Sequence, residues 1–230
     1  RLSHLLKRIS PEMTLAYFIK PVIYGSIAAW LARVPKRYSM IEGLGYVFED
    51  DARSQNLYRS LLRWAVNRIY KFALSLNDKV FFLNKDDISQ FIEEGIVTDN
   101  KVVWIDGIGL DLDHFRPAAS VVEPATFILI ARLLRAKGVY DYVEAARQVR
   151  KQYPTARFLL VGSCDENPGS IPESVIRKWA LEGILECPGQ VDDVRHWLVK
   201  SSVFVLPSYR EGLPRSTQEA MAMGIPVITT

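Results

Sequence analysis

Two glutamates near the end of the sequence, Glu211 and Glu219, bracket the start of a predicted helix. Pro214 suits the first position of that helix, and Gly224 suits its end because Pro226 follows. The free N–H groups and the dipole at a helix start favour an anion, and we expect a phosphate. Two flanking carboxylates could then accept hydrogen bonds from sugar rings on either side of a diphosphate. The spacing alone leaves the alternative that Glu219 faces solvent and Glu211 is only a helix-start charge.

Two basic residues, Arg132 and Lys137, follow the apolar run TFILI and precede another predicted helix. Because the carboxyl ends of parallel strands meet at one edge of a sheet, we expect these residues at the same edge as Glu211. Arginine offers a planar fork and lysine a point charge, so together they could bind a pair of phosphates. A solvated basic loop is the alternative.

The elements that must position these residues are short apolar strands alternating with helices. The predicted strands of the second half are TFILIA, RFLLVG, ILECPG, VFVLP and PVITT. Those of the first half are RYSMI, KVFFLN and KVVWID, with the amphipathic helix LYRSLLRWAVNRIYKFALSL between the first two. Strands without polar alternation are typical of a parallel sheet covered on both faces. The predicted fold class is therefore α/β, with two Rossmann-like domains whose parallel sheets face a cleft.

The run DLDHFRPAASVVEP lacks periodicity and marks the predicted domain boundary. We assign residues 1–110 to a first domain, residues 111–124 to a hinge and residues 125–230 to a second domain. The chain begins at an arginine and stops after an apolar strand, so we expect a fragment in which both domains are incomplete. The expected apolar side of the long first-domain helix consists of Leu57, Leu61, Trp64, Ala65 and Ile69.

The charge of the chain is unevenly spread. The formal net charge is +3, but residues 1–77 hold twelve basic and five acidic side chains. This basic part could contact a membrane surface, a lipid phosphate or a nucleic acid, or it could be a solvated face. Cys164 and Cys187 have no spacing typical of a metal site or disulfide framework. No apolar run reaches the roughly 18 residues of a membrane span.

Several stretches resemble one known family. ARLLRAKGVYDYVEAA, CPGQVDDV and VFVLPSYREGLPRSTQEAMAMGIPVITT are similar to the donor-binding half of family 4 glycosyltransferases of the GT-B fold. VPKRYSMIEGLGYVF and GIGLDLDHFRP resemble the acceptor-side domain and the hinge of that family. The likeness extends over nearly the whole chain, and the combination of R-x4-K with a later E-x7-E is specific.

The resemblance implies transfer of a sugar from a nucleotide-diphosphate sugar to an acceptor hydroxyl, with retention at the anomeric carbon. It implies that Glu211 contacts the donor sugar and that Glu219 holds the ribose. It also implies that Arg132 and Lys137 bind the leaving diphosphate. Fixed cations and a helix start can stabilise this charge, so we expect no metal cofactor.

The resemblance also implies binding residues outside these four. Amides around Gly212, Leu213 and Pro214 are expected to complete the diphosphate site. The backbone near Gln190 and Val191 is expected to meet the nucleobase, for which uridine is the prediction.

One position departs from the family pattern. Many members carry a histidine in the acceptor-side loop after the strand that corresponds to RYSMI, and here that position is Glu42, followed by Gly43. A histidine-based role is therefore in doubt. Glu42 could position the acceptor hydroxyl, or it could simply cap the loop.

Two other motifs are not expected to bind cofactors. DLD at residues 111–113 lies in the predicted hinge, so we do not expect it to hold a metal ion. The broken glycine motif GIGLDL is followed by no predicted helix, so we do not expect NAD binding.

We predict a glycosyltransferase of bacterial surface-polysaccharide or glycolipid synthesis. The expected partners are a nucleotide-sugar donor, for which a UDP-sugar is the prediction, a sugar or lipid-linked acceptor and an anionic membrane surface. We expect no nucleic-acid partner. The expected location is cytoplasmic, with a peripheral contact on the inner face of the cell membrane. The alternatives are a non-catalytic nucleotide-sugar-binding subunit and a sugar-nucleotide epimerase on the same fold.

Overall fold

The computed structural model describes residues 1–43, 57–117 and 123–230. These residues form two compact units, Arg1–Ile108 (the first unit) and Gly109–Thr230 (the second unit). Phe115, from the predicted hinge, is 6% exposed and packs in the hydrophobic core of the second unit. The described part of that hinge therefore lies with the second unit.

The first unit is built on a four-stranded parallel sheet. Its strands pair in the order β1-β2-β3-β4, and β2, β3 and β4 correspond to the predicted strands RYSMI, KVFFLN and KVVWID. The sequence pattern did not predict β1. The elements in chain order are α1 (Leu2–Ile9), β1 (Met13–Tyr17), α2 (Ile19–Leu31), β2 (Lys36–Ile41), α3 (Leu57–Ser75), β3 (Lys79–Phe82), α4 (Lys85–Glu93) and β4 (Val102–Trp104).

The buried side of α3 differs from the predicted one. Trp64 is 61% exposed and Ile69 is 47% exposed, so the predicted apolar side was wrong at these two positions. The side chains of Leu57 and Leu61 lie outside the described part of the chain. Among the α3 side chains that the structure describes, the buried ones are Tyr70, Ala73 and Leu74. Apolar side chains occur around much of this helix, so periodicity alone did not identify the stripe that meets the core.

The second unit is built on a five-stranded parallel sheet. Its strand order is β7-β6-β5-β8-β9, and all five strands match runs predicted from the sequence. The elements are β5 (Thr126–Ile130), α5 (Val139–Gln152), β6 (Arg157–Val161), α6 (Glu173–Leu181), β7 (Glu186–Gly189), α7 (Arg195–Leu198), β8 (Val203–Leu206), α8 (Arg215–Ala222) and β9 (Val227–Thr229).

The core of the second unit explains why its strands lack polar alternation. Ile128 and Leu129, which point to opposite faces of β5, are both 0% exposed. Leu159 and Leu160 of β6 are each 1% exposed. Both faces of the central strands are therefore buried, as expected for a doubly wound parallel sheet.

No helix among the described residues is long and apolar enough to cross a membrane.

Candidate functional site

The strand order of the second sheet reverses between β5 and β8. The chain winds outward through β6 and β7, then returns to the other side of β5 at β8. Ligands of open α/β sheets bind beyond the carboxyl ends of the strands at such a reversal. The strand order therefore predicts a ligand site at the loops after β5 and β8.

A glycine allows these two loops to touch. Gly138 has a φ of +67°, and a Cβ atom there would lie 1.9 Å from the carbonyl oxygen of Pro207. The N–H of Tyr209 donates to the carbonyl of Ala136 at 2.9 Å. A side chain at position 138 would both strain the backbone and separate the loops. The approach of the loops is what brings their polar side chains together.

Lys137 and Glu211 meet at this contact. Lys137 Nζ lies 2.6 Å from Glu211 Oε1, and the two side chains are 21% and 20% exposed. Ser208 Oγ lies 2.7 Å from the same carboxylate oxygen. Oε1 therefore has two donors, whereas the contacts within the described part of the chain leave Oε2 without one.

Two helices begin beside this pair. α5 starts directly after Gly138, and α8 starts at Arg215, four residues after Glu211. Neither helix has a described side chain that caps its first turn, so the N–H groups there have no side-chain acceptor among the described residues. The prediction that Pro214 is the first helical residue was wrong by one position, because Pro214 is extended (ψ 121°) and immediately precedes the helix.

The loop from Glu211 to α8 contains the other predicted diphosphate residues. Gly212, Leu213 and Pro214 lie between the carboxylate and the first turn of α8, and all three are partly buried. Gly224 follows α8 with a φ of +75°, which agrees with the predicted helix end.

Glu219 lies on α8 with its side chain only 12% exposed. Its Oε1 accepts a hydrogen bond from Arg215 Nε at 3.1 Å. Burial raises the pKa of this carboxyl, while the nearby positive charges of Arg215 and His114 act in the opposite direction. The alternative that Glu219 faces solvent is therefore wrong.

Arg132 has a different neighbour from Lys137. Its Nη1 lies 3.4 Å from Asp165 Oδ2, on the loop after β6, and its side chain is 64% exposed. Asp165 also accepts the N–H of Asn167 at 2.7 Å, which orders that loop. Arg132 therefore makes its ion pair on the β6 side of β5, whereas Lys137 makes its own on the β8 side.

A cavity of about 480 Å³ opens at the carboxyl ends of β6 and β7. Gln190 lines this cavity, and the neighbouring Val191 packs partly against the core. Burial raises the pKa of the Cys187 thiol to about 11, so this lining cysteine is protonated at neutral pH. The side chains that contribute to the cavity wall include Leu133, Ser163, Cys164, Glu173, Ile176 and Arg177.

Glu42 and Gly43 directly follow β2 in the first unit. Glu42 is partly buried, and desolvation raises the pKa of its carboxyl. Gly43 is exposed, and apart from its chain neighbours no described residue has an atom within 4 Å of where its Cβ would lie. The remainder of the glycine-rich run LGYVF lies outside the described residues.

The DLD motif has a local structural role. Asp111 Oδ1 accepts the N–H groups of Asp113 and His114 at 2.9 and 3.0 Å. Asp113 pairs with Arg116 at 2.9 Å. Within residues 1–43, 57–117 and 123–230, no cluster of three or more His, Cys, Asp or Glu side chains has the geometry of a metal site.

The sequence reasoning missed three residues of the site. Ser208 lies two residues after the end of β8 and directly after the predicted strand VFVLP, and this position could have identified it. Gly138 could have been found as the glycine that directly follows Lys137. Asp165 had no signal in the sequence, because its partner Arg132 lies on a different loop.

Comparisons with known proteins agree with this architecture. Residues 124–230 match the family model described as Glycosyl transferases group 1. In Campylobacter jejuni, N,N'-diacetylbacillosaminyl-diphospho-undecaprenol alpha-1,3-N-acetylgalactosaminyltransferase is 28% identical, over 100% of this chain and 61% of that protein. In Escherichia coli, UDP-Gal:alpha-D-GlcNAc-diphosphoundecaprenol alpha-1,3-galactosyltransferase is 28% identical, over 98% of this chain and 59% of that protein. The chain thus spans less than two thirds of the length of these relatives.

Solved structures share the fold of both units. HepE of Anabaena, in complex with UDP-glucose, superposes with a TM-score of 0.76 and 16% identity, covering 99% of this chain and 62% of HepE. Sucrose-phosphate synthase of Thermosynechococcus elongatus superposes with a TM-score of 0.73 and 20% identity, covering 98% and 57%. The predicted GT-B class, with two Rossmann-like units on parallel sheets, is confirmed.

Proposed function

We propose that the protein transfers a sugar from a nucleotide-diphosphate sugar to an acceptor hydroxyl, because residues 124–230 match the family model described as Glycosyl transferases group 1. The observation that carries the proposal is the contact between Lys137 and Glu211 at the reversal of the second sheet. It places a cation, a carboxylate and an uncapped helix start at one point. A sugar diphosphate presents matching groups, since it joins an anion to hydroxyls.

The chemistry of the transfer explains why a cation is needed there. The bond between the anomeric carbon and the diphosphate oxygen breaks, and the acceptor oxygen bonds to that carbon. The departing diphosphate gains an electron pair, and its oxygen can take the proton that the acceptor hydroxyl loses. Lys137 and the first turn of α8 would stabilise this charge more in the transition state than in the ground state. Each charge-assisted contact contributes about 1.5–3 kcal/mol.

The two glutamates would hold the sugars on either side of the diphosphate. The oxygen Oε2 of Glu211, which the described contacts leave unpaired, would accept a hydroxyl of the donor sugar. Glu219 lies further along α8 and would accept the ribose hydroxyls. The backbone at Gln190 and Val191, beside the cavity of about 480 Å³, would meet the nucleobase. Arg132 would turn from Asp165 to the diphosphate when the donor binds.

The donor and acceptor classes come from the named relatives. HepE was solved with UDP-glucose, and the two bacterial relatives are named for acceptors linked to undecaprenol diphosphate. We propose a UDP-sugar as the donor and a lipid-linked sugar as the acceptor, in the synthesis of a bacterial surface glycan. Because Lys137, Arg132 and a helix start supply positive charge, we expect turnover without added divalent metal.

A lipid-linked acceptor implies work at a membrane, and we propose that the first unit contacts anionic lipid on the cytoplasmic side. Trp64, Arg68 and Phe72 follow one another at helical spacing on α3. Trp64 is 61% exposed and Phe72 is 51% exposed, and the Arg68 guanidinium lies 5.8 Å from the centre of the Trp64 ring. Aromatic and basic side chains together are typical of an interfacial contact.

Vesicle flotation tests this contact. At low salt, vesicles containing phosphatidylglycerol should retain the full-length protein, and the Trp64→Ala, Phe72→Ala double variant should lose much of that binding. Tyr153→Ala, which removes a 64% exposed aromatic from the second unit, is the matched control. Equal retention of wild type and double variant would contradict the contact.

The transfer itself is tested with radiolabelled UDP-sugars and a lipid-diphosphate sugar acceptor. We expect full-length protein to form labelled glycolipid, and Glu211→Gln to lose most of this activity. Binding of the donor without turnover would instead support a nucleotide-sugar-binding subunit. Conversion of the donor sugar without any acceptor would support an epimerase.

A further inference from the structure

The carboxylate of Glu211 is held by two donors of unlike mobility. Lys137 Nζ, at 2.6 Å, sits at the end of a flexible four-carbon side chain. Ser208 Oγ, at 2.7 Å, sits on a short side chain of a residue that is 3% exposed. Both bonds end on Oε1. If Lys137 turns to a diphosphate, only the serine bond remains on this oxygen.

The backbone around Ser208 is fixed from two sides. The Thr230 hydroxyl donates to the carbonyl of Ser208. The N–H of the next residue, Tyr209, donates to the carbonyl of Ala136 at 2.9 Å. The Tyr209 hydroxyl in turn donates to Asp141 Oδ2 at 2.7 Å, on the first turn of α5. The backbone at Ser208 is therefore anchored by hydrogen bonds to two other segments, and its short side chain keeps the hydroxyl close to this anchored backbone.

We propose that Ser208 is a positioning residue for the transfer. Its hydroxyl keeps Glu211 Oε1 in place after Lys137 has turned to the diphosphate, so that Oε2 stays directed to the donor sugar. This inference rests on the proposed function of the site. It assigns Ser208 to the sugar half of the donor, because Ser208 acts through Glu211 and not through the lysine.

A positioning role for Ser208 should affect kcat but not the affinity for UDP, whereas a purely structural role should affect both. UDP carries the diphosphate but no transferred sugar, so its dissociation constant should not depend on Ser208. The kcat for a UDP-sugar does depend on a correctly held Glu211. Loss of one charge-assisted hydrogen bond corresponds to roughly a 10- to 100-fold fall in rate.

The experiment uses full-length protein with Ser208→Ala, Ser208→Thr and the control Ser201→Ala. Ser201 lies between α7 and β8 and is a matched control. It is 4% exposed, and its Oγ donates to the Trp197 carbonyl at 2.8 Å. We expect Ser208→Ala to lower kcat by roughly tenfold or more with the UDP dissociation constant within about twofold of wild type. Ser208→Thr, which keeps the hydroxyl, should recover part of kcat. Ser201→Ala should lower only the Tm.

A double-variant cycle makes the test independent of folding defects. If Ser208 acts through Glu211, then Ser208→Ala should not lower kcat further in a Glu211→Gln background. Additive losses in the cycle would overturn the inference. An active wild type with an unchanged kcat in Ser208→Ala, or with parallel losses of kcat and UDP affinity, would also overturn it. No transfer by the wild type would instead refute the proposed function.

Discussion

Lys137 and Glu211 are 74 positions apart in the sequence, and their side chains form a 2.6 Å contact between Nζ and Oε1. The contact exists because the strand order places β5 beside β8 and because Gly138 lets the following loops approach. Each partner is about four-fifths buried, so the pair is more strongly coupled than an exposed ion pair. A ligand that replaces Glu211 as the partner of Lys137 must therefore carry a comparable negative charge, as a diphosphate does.

A glycine pair tests whether the loop contact supports the site. Gly138→Ala should lower the free energy of unfolding by more than about 3 kcal/mol, since it adds a clash with Pro207 to the strain of a left-handed backbone. Gly183→Ala has the same strain, with a φ of +68°, but apart from its chain neighbours no described residue has an atom within 4 Å of the new Cβ. The control should cost about 1–2 kcal/mol. Chemical denaturation measures both values, and equal losses would contradict the importance of the Pro207 contact.

Glu219→Gln should change the pH dependence of stability. Because burial raises the pKa of Glu219, the native state binds a proton more tightly than the unfolded state. Wild-type stability should therefore fall as pH rises from the ordinary glutamate pKa through the raised one. The variant has no titrating group at position 219. Its free energy of unfolding relative to wild type should therefore increase between these two pKa values and stay level at higher pH.

Denaturation of both proteins between pH 4 and pH 8 is the measurement for Glu219, at about half-unit steps. A difference that runs in the opposite direction would mean that the Arg215 bond outweighs burial. In the same variant we expect weaker UDP binding, because the amide is a poorer acceptor for the ribose hydroxyls.

Arg132→Ala should affect function without much effect on stability. Its ion pair with Asp165 is exposed, so its loss should cost no more than about 1 kcal/mol. UDP binding and transfer should both weaken by about tenfold. The diphosphate is negatively charged in the bound ground state, and its charge grows in the transition state of the transfer. Arg147→Ala, which removes another arginine paired with surface carboxylates, is the control for isothermal calorimetry and rate measurements. If the two variants bind UDP equally well, Arg132 is not a diphosphate ligand.

The strands that could be predicted were those whose burial produces a continuous apolar run in the sequence. TFILI and RFLLV were recognised as strands because both of their faces are buried and both are therefore apolar. β1, with the sequence MTLAY, was missed because Met13 and Leu15 are more than half exposed and the strand carries no comparable pattern. The error in the predicted buried side of α3 has a related cause. Trp64, which is exposed, and Tyr70, which is buried, are both aromatic, so hydrophobic periodicity does not distinguish them.

The candidate site was predictable as a location but not as a set of contacts. Parallel strands place their carboxyl ends together, so Arg132, Lys137 and Glu211 could be assigned to one edge. Which cation meets the carboxylate depends on strand order, and the sequence does not state that β8 rather than β6 lies beside Lys137. The ion pair of Arg132 with Asp165 and the bond of Ser208 to Glu211 arise from the same three-dimensional arrangement.

The most direct test of the diphosphate site is calorimetric titration of UDP into wild type, Lys137→Ala and Lys151→Ala. Lys151, an exposed lysine in the last turn of α5, controls for the loss of one positive charge. We predict that Lys137→Ala weakens UDP binding by at least about tenfold, corresponding to about 1.4 kcal/mol, while Lys151→Ala binds like wild type. Equal affinity of all three proteins for UDP would contradict the placement of the diphosphate beside Lys137 and Glu211.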